Sequence, residues 1–345
     1  MFKALKETFP ENSGYVVSNP ADIFYITGFY CEDSLLVYSK NPVLVTDSRY
    51  TVAAKAARVP QRIVNNGYVS GVIDILNEQN IKTVGVQEEH LLTSDYLALK
   101  EAGFTLNKTN GIFNSFRCSK TEEEVENIKK AQSITDKAFT EILPFIKPGV
   151  TEKEIRAKLE YIMLTLGADG LAFETIVASG ANGAKPHAVP SDKKIEAGEF
   201  VTIDFGARLN NYDSDMTRTV AVGEITKEME EVYNIILLAH EKGRDALKPG
   251  VPCKEVDAIA RKVIEEHGYG EYFSHSLGHG VGIEIHESPR LSTKSNDVLK
   301  VGDVVTVEPG IYIENKFGVR VENMYVITRD GYENLTVSDK KLIKL

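Results

Sequence analysis

The 345-residue sequence contains no tryptophan and only three cysteines, Cys31, Cys118 and Cys253, which lie far apart in the chain and form no CxxC pair. This spacing argues against a disulfide framework and a cysteine-type zinc site, and it favours a reducing compartment. The sequence also lacks an excess of positive charge, because its formal net charge is −10. That balance argues against binding to nucleic acid or to an anionic membrane surface.

Long apolar segments are missing as well. No apolar run approaches the length of a membrane span, and the initial stretch MFKALKETFPENSG lacks the apolar core of a signal peptide. We therefore expect a cytoplasmic protein with no membrane partner. The chain is long enough for two domains with sizeable cores.

The N-terminal part of the sequence, residues 1–117, alternates short apolar strands with short helical patterns. Apolar runs at 34–39 and 43–48 flank the triplet Lys40-Asn41-Pro42, which predicts a hairpin. This organisation predicts a small α/β domain.

The sequence changes character near residue 118, where a long segment with helical apolar spacing begins. Thr121 and Glu124 have the spacing of a capping box at the start of that helix. We therefore predict two domains, residues 1–117 and residues 118–345.

The second part of the chain contains a repeat. IKPGVTEKEI (146–155) and LKPGVPCKEV (247–256) share six of ten residues at an offset of 101, and GEFVTIDFG (198–206) returns as GDVVTVEPG (302–310) at an offset of 104. Either match alone is explained by the chance recurrence of Pro-Gly turns and valine-rich strands. Two matches in the same order favour a duplication. Each half is then helix, turn, helix and strands ending in a carboxylate, and the two halves form one α+β unit with pseudo-twofold symmetry.

Acidic residues accompany these equivalent strands. Symmetry predicts that Asp204 and Glu308 converge. Strand alternation predicts that Asp213 and Asp215, which follow the first motif, share one face of a strand. Glu322 is the acidic residue that follows the second motif. Carboxylates gathered at one locus repel one another, and multivalent cations relieve this repulsion. The alternative is that these residues lie on solvated strand faces or pair with neighbouring arginines.

Four of the seven histidines lie in segments rich in glycine, serine or proline, namely His187, His275, His279 and His286. Glycines flank His279, which suits a ligand in a cleft. His187 and His286 precede the two carboxylate strands by 17 and 22 residues, and neutral imidazoles there suit proton transfer. The sequence has no HExxH, GxGxxG, GxSxG or P-loop motif, so other common chemistries are disfavoured.

These motifs closely resemble those of the pita-bread metallopeptidases, a group that includes methionine aminopeptidase, aminopeptidase P, prolidase and creatinase. The segments that carry the resemblance are PHAVPSD, VTIDFGA, YDSDMTRT, HSLGHGVGIEIHE, VEPGIY and RVENM. NPADIFYITGF (19–29) and DSRY (47–50) further resemble the N-terminal domain of the proline-specific and creatinase branches. The resemblance implies an α+β pita-bread catalytic domain preceded by a smaller α/β creatinase-like domain.

The resemblance also implies a centre with two divalent metal ions, Mn²⁺ first, with Co²⁺, Fe²⁺ or Zn²⁺ as alternatives. Its five ligands are Asp204, Asp215, His279, Glu308 and Glu322. In the family pattern Asp215 and Glu322 bridge the metals, Asp204 chelates one, and His279 and Glu308 hold the other. The family pattern also implies a homodimer.

The function implied is hydrolysis of the Xaa-Pro bond by a metal-bridging hydroxide, with short peptides that carry proline at the second position as substrates. By resemblance His187, His286 and Glu308 are catalytic and His275 binds substrate, and we assign Arg320 to binding a substrate carboxylate. Arg320 has two alternatives, ordering of the ligands or a simple ion pair, and His275 has one, a hydrogen-bonded loop residue. A creatinase-like hydrolase, a methionine-aminopeptidase-like hydrolase and a non-catalytic scaffold are the alternative functions, and dipeptides and longer peptides are not distinguished.

Overall fold

The computed structural model describes residues 10, 12–109 and 111–345, and the chain divides into two compact units, residues 1–117 and 118–345. The strands of the first unit are β1 (Ser13–Val17), β2 (Ser34–Tyr38), β3 (Val43–Asp47), β4 (Gln61–Val64), β5 (Thr83–Val86) and β6 (Thr105–Lys108). Its helices are α1 (Pro20–Thr27), α2 (Tyr68–Glu78), α3 (Thr93–Glu101) and α4 (Ile112–Cys118), the last of which ends at the division.

The first unit is built on a mixed sheet with strand order β4-β3-β2-β1-β5-β6. The hairpin predicted around Lys40-Asn41-Pro42 is confirmed, because β2 and β3 pair antiparallel across that turn. Strand β1 pairs antiparallel with β2 and parallel with β5, so the pairing changes from antiparallel to parallel at this strand. Apolar side chains on both faces of the sheet form two cores, one of them against the buried face of α2.

The second unit contains two pairs of helices in equivalent order. They are α5 (Glu122–Ile142) with α6 (Glu152–Thr165), and α7 (Lys227–Asp245) with α8 (Cys253–Glu266). The predicted capping box of Thr121 and Glu124 is present at the start of α5, and Thr151 and Glu154 form another at the start of α6. Helices α6 and α8, which follow the two Pro-Gly turns, are each 14 residues long, as expected for a duplicated segment.

The strands of the second unit follow the same duplication. They are β7 (Gly170–Leu171), β8 (Ile176–Ser179), β9 (Glu199–Phe205), β10 (Ala207–Leu209), β11 (Tyr212–Asp213), β12 (Met216–Val222), β13 (Gly278–Gly280), β14 (Glu287–Leu291), β15 (Val304–Val307), β16 (Gly310–Ile313), β17 (Phe317–Arg320), β18 (Asn323–Ile327) and β19 (Tyr332–Asn334). In one half β9 pairs antiparallel with β12, and in the other β15 pairs antiparallel with β18. Each half has its own apolar core between its helices and its strands.

None of the helices in the described part of the chain combines the length and the apolar character that a membrane crossing requires. The long helices are amphipathic instead. Helix α5, for example, buries Val125, Ile128 and Phe139 while its first turn exposes Glu122 and Glu123. Such helices pack one face against a sheet and present the other to water.

Candidate metal centre

All nine predicted site residues line one cleft of about 540 Å³ in the second unit. The five predicted metal ligands form its floor, to which they contribute four carboxylates and one imidazole. The other four residues on its wall are His187, His275, His286 and Arg320. The cleft therefore brings together segments that are more than one hundred residues apart in the chain.

The paired strands place the acidic side chains. Asp204 is the penultimate residue of β9, and Glu308 directly follows β15, so equivalent strands of the two halves end at the same place. Asp215 immediately precedes β12, and Glu322 lies in the short connection between β17 and β18. The strand register positions Asp204 opposite Thr217, two residues after Asp215.

The prediction that Asp213 shares a strand face with Asp215 is wrong. Strand β11 ends at Asp213 and pairing resumes only at Met216, so the alternation of a continuous strand is interrupted. The Asp213 carboxylate accepts hydrogen bonds from Arg208 Nε at 2.7 Å and Nη2 at 3.0 Å instead. Burial nevertheless raises the pKa of Asp213 to about 7.

One imidazole and several carboxylates converge at the floor of the cleft. Ligand atoms of Asp215, His279 and Glu322 all lie within 4.8 Å of one another. His279 Nε2 is 3.5 Å from Asp215 Oδ2 and 3.3 Å from Glu308 Oε1. Its Nδ1 lies 3.0 Å from the carbonyl oxygen of Gly280, an arrangement in which Nδ1–H donates and the lone pair of Nε2 faces the carboxylates.

The glycines beside His279 are required by close backbone approaches. A Cβ atom on Gly278 would lie 2.1 Å from the Thr306 carbonyl oxygen, and one on Gly280 would lie 2.4 Å from the Ser288 carbonyl oxygen. Strand β13 therefore fits between β14 and β15 only without side chains at these positions. This packing fixes the backbone of His279 and buries its ring.

The surroundings of the carboxylates are those of a cation site. Among the described residues, Asp204 Oδ1, Asp215 Oδ1 and Glu322 Oε1 are buried and have no hydrogen-bond partner. Burial, followed by the charge of neighbouring carboxylates, raises the pKa of Asp215 and Glu308 well above the ordinary range and that of Glu322 to about 8. Burial lowers the pKa of His279 to about 3, so its ring is neutral. An oxygen-rich set with one neutral imidazole suits divalent metals.

A hydrogen-bond network surrounds the predicted ligands. Arg320 donates from Nη2 to Asp204 Oδ2 at 2.6 Å, from Nε to Thr217 Oγ1 at 3.0 Å and from Nη1 to Tyr312 Oη at 2.7 Å. Thr217 in turn donates to Glu322 Oε2 at 2.7 Å. Thr217 and Tyr312 were not singled out from the sequence.

The three other histidines of the cleft differ in their surroundings. His275 is held by its Ser276 neighbour and by Tyr312, whose Oη is 2.9 Å from Nε2, and burial together with the charge of Arg320 lowers its pKa to about 3. The ring of His286 stands edge-on to that of His279, with centroids 4.5 Å apart. Burial and the charge of Arg290 lower the pKa of His286. His187 is exposed and also lines the cleft.

A buried ion pair supports the segment of His286, and sequence reasoning missed it. Lys120 Nζ is 2.9 Å from Glu287 Oε2, and each side chain is 1% exposed. The other oxygen of Glu287 accepts hydrogen bonds from the backbone N–H groups of Ile283 and Glu284 at 3.1 and 3.2 Å. No local sequence pattern predicts this ion pair, because its partners are 167 residues apart.

Convergent carboxylates and one neutral imidazole, held between two related halves of an α+β unit, define a metal-dependent hydrolase. Comparison with protein families agrees with this class. The family described as metallopeptidase family M24 matches residues 126–329, and the family described as Creatinase/Prolidase N-terminal domain matches residues 8–119. The chain belongs to metallopeptidase family M24. The predicted pita-bread fold with a creatinase-like N-terminal domain is thereby confirmed.

Individual relatives are similar over nearly the whole chain. The Xaa-Pro dipeptidase of Pyrococcus furiosus is 41% identical over 332 residues, which cover 95% of this chain and 94% of that protein. The structure of an Xaa-Pro dipeptidase from Bacillus anthracis has a TM-score of 0.95 at 41% identity, covering 100% of this chain and 99% of that one. The structure of an X-Pro aminopeptidase from Thermotoga maritima has a TM-score of 0.91 at 40% identity, with 99% and 100% covered.

Proposed function

We propose that the protein is a two-metal exopeptidase that hydrolyses the Xaa-Pro bond of dipeptides or at the N-terminus of longer peptides. The observation that carries this proposal is the set of buried carboxylate oxygens without partners, among the described residues, beside the lone pair of His279. Relatives named Xaa-Pro dipeptidase and X-Pro aminopeptidase support the choice of bond. A scaffold, a creatinase-like enzyme and a methionine aminopeptidase are not favoured by these relatives.

Five residues are assigned to the metals. Asp204, Asp215, His279, Glu308 and Glu322 would hold the two cations, with Asp215 and Glu322 shared between them as the family resemblance implies. When bound, the cations supply an activated water nucleophile and a Lewis acid for the scissile carbonyl. The oxygen-rich donor set suits Mn²⁺ first, with Co²⁺, Fe²⁺ and Zn²⁺ as alternatives.

The remaining residues of the cleft handle protons and position the substrate. With the cations bound, Glu308 would accept the proton of the attacking water, because it lines the same cleft. His286 is neutral because its pKa is lowered, so its N–H can donate a hydrogen bond to the oxyanion. After its free ring nitrogen takes up a proton, it can also pass one to the leaving amine. His187, which is exposed in the cleft, contacts the substrate, and the ring of His275 forms part of the pocket.

Arg320 is better assigned to ordering the ligands than to binding a substrate carboxylate. Its guanidinium already donates to Asp204, Thr217, Tyr312 and the carbonyl oxygen of Pro186, the last at 3.2 Å. Such a planar group with most of its donors engaged fixes the acidic side chains that it touches. It leaves little capacity for a further anion.

Three wider features complete the proposal. A cytoplasmic location agrees with the small number and the scattered spacing of the cysteines in the sequence. A homodimer is carried over from the family resemblance. Dipeptides and longer peptides are both retained as substrates, because relatives of both names match the chain equally well.

The test is hydrolysis of Ala-Pro, Ala-Pro-Ala and Ala-Leu by protein stripped with a chelator and then supplied with Mn²⁺. We expect metal-dependent cleavage of the two proline peptides and none of Ala-Leu. The ratio of the dipeptide rate to the tripeptide rate decides between a dipeptidase and an aminopeptidase. Tight metal binding without cleavage of any peptide would refute the proposed specificity.

A further inference from the structure

A glutamate outside the cleft is fully buried at the start of helix α6. Glu152 is 0% exposed, and its carboxylate accepts five hydrogen bonds. Oε1 accepts from the backbone N–H and the hydroxyl of Ser179 at 2.7 and 2.9 Å. Oε2 accepts from Asn182 Nδ2 at 2.9 Å and from the backbone N–H and hydroxyl of Ser191 at 2.9 and 2.7 Å. Both oxygens are thus occupied, which excludes a metal or substrate role for this side chain.

The donors bracket the segment that carries His187. Ser179 ends β8, Asn182 follows three residues later, and Ser191 lies four residues beyond His187. The backbone at the start of α6 also holds the far end of this segment, because the N–H of Lys153 donates to the Ser191 carbonyl oxygen at 3.2 Å. One carboxylate therefore closes the loop 180–190 at both ends.

We propose that Glu152 is a positioning residue for His187: by closing this loop, its carboxylate holds the exposed imidazole against the cleft. The inference rests on the proposed function, in which His187 contacts the substrate. Loop closure is costly in conformational entropy unless the ends are bound. Arg320 restrains only the middle of the loop, through the Pro186 carbonyl oxygen.

The role needs a glutamate. A carboxylate has acceptor sites only, whereas a glutamine would turn an N–H₂ group toward N–H and O–H donors. Five hydrogen bonds and the start of a helix compensate the buried charge without a cation. An aspartate is one methylene shorter, so it cannot reach Ser179 and Ser191 together.

The test compares the Mn²⁺-loaded variants Glu152→Gln, His187→Ala and the double variant, with Glu154→Gln as matched control. Glu154 belongs to the same helical turn but binds only Thr151, at 2.8 Å. We expect Glu152→Gln to lower kcat on Ala-Pro by about tenfold or more with a smaller change in KM. The double variant should match His187→Ala within about twofold, because the two residues act as one unit.

Hydrogen exchange of peptides covering residues 180–191 gives a readout independent of catalysis. Exchange should be faster in Glu152→Gln than in wild type and unchanged in Glu154→Gln. Additive losses in the double variant, or unchanged exchange in Glu152→Gln, would overturn the positioning role. If Glu152→Gln does not fold, Ser191→Ala carries the same two comparisons. Failure of the proposed function itself would be recognised separately, because wild-type enzyme would then leave Ala-Pro intact.

Discussion

At the residue scale, one buried hydroxyl group helps to order the carboxylates of the site. Thr217 is fully buried, and its Oγ1 both donates to Glu322 and accepts from Arg320. It thereby links a predicted bridging carboxylate to the guanidinium that holds Asp204. Groups that orient metal ligands in this way tune affinity without touching the metal.

We expect Thr217→Val to weaken binding of Mn²⁺ by about 10–100-fold, because Glu322 loses the donor that orients it. It should also lower the free energy of unfolding by about 1–3 kcal/mol, since a buried guanidinium N–H loses its acceptor. Thr217→Ser keeps the hydroxyl and should retain metal affinity. Titration calorimetry of stripped protein with Mn²⁺ measures the difference, and equal affinities for the two variants would contradict the role assigned to the hydroxyl.

A second residue-scale prediction concerns His240, a fully buried histidine of α7 that does not line the cleft. Its Nδ1 is 3.4 Å from Lys340 Nζ and its Nε2 is 3.3 Å from Tyr325 Oη. Burial, with the positive charge of Lys340, lowers its pKa well below the ordinary value of 6.5. The folded protein therefore holds this ring neutral, while the unfolded chain takes up a proton below pH 6.5.

The stability contributed by neutral His240 is complete above pH 6.5 and falls as the pH drops below it. The slope from one such group is at most about 1.4 kcal/mol per pH unit. We expect the difference in unfolding free energy between wild type and His240→Gln to shrink below that pH by this slope. Urea denaturation between pH 5 and pH 8 tests it, and parallel pH profiles for the two proteins would rule the effect out.

At the element scale, strand β13 is closely packed between its two neighbouring strands. It carries His279 between two glycines and pairs with both β14 and β15. The backbone carbonyl of Thr306 stands where a side chain on Gly278 would be. A methyl group there must push β13 away from β15, and the imidazole moves with it.

Gly278→Ala should therefore cost several kcal/mol of stability, about 3 or more, because the clash is with backbone rather than with a flexible side chain. The same variant should bind Mn²⁺ weakly. Gly170→Ala is the matched control, since a Cβ there meets nothing within 4 Å and its φ angle is not strained. Denaturation midpoints of the two variants should differ strongly, and similar midpoints would show that β13 has more room than its packing indicates.

At the scale of the whole molecule, the duplication explains which features were predictable. Matching turns and strands placed Asp204 and Glu308 at equivalent strand ends, and the glycines around His279 marked a close backbone approach. Alternation failed at Asp213 because a break follows β11, which no local pattern signals. The role of Glu152 was also beyond local reasoning, since its partners arrive from segments 27 to 39 residues away.

The buried acidic cluster also makes the stability of the whole second unit depend on metal. Without cations, Asp204, Asp215, Glu308 and Glu322 are packed together in a buried site, which opposes folding. Cations at 100 times their dissociation constant add about 2.7 kcal/mol per site, which corresponds to a rise in Tm of about 5–10 °C for a unit of this size. Calorimetry with excess Mn²⁺ and with chelator should show this difference in wild type and a smaller one in Glu322→Gln. If chelation left the melting curve of the wild-type protein unchanged, the cluster would hold no tightly bound metal.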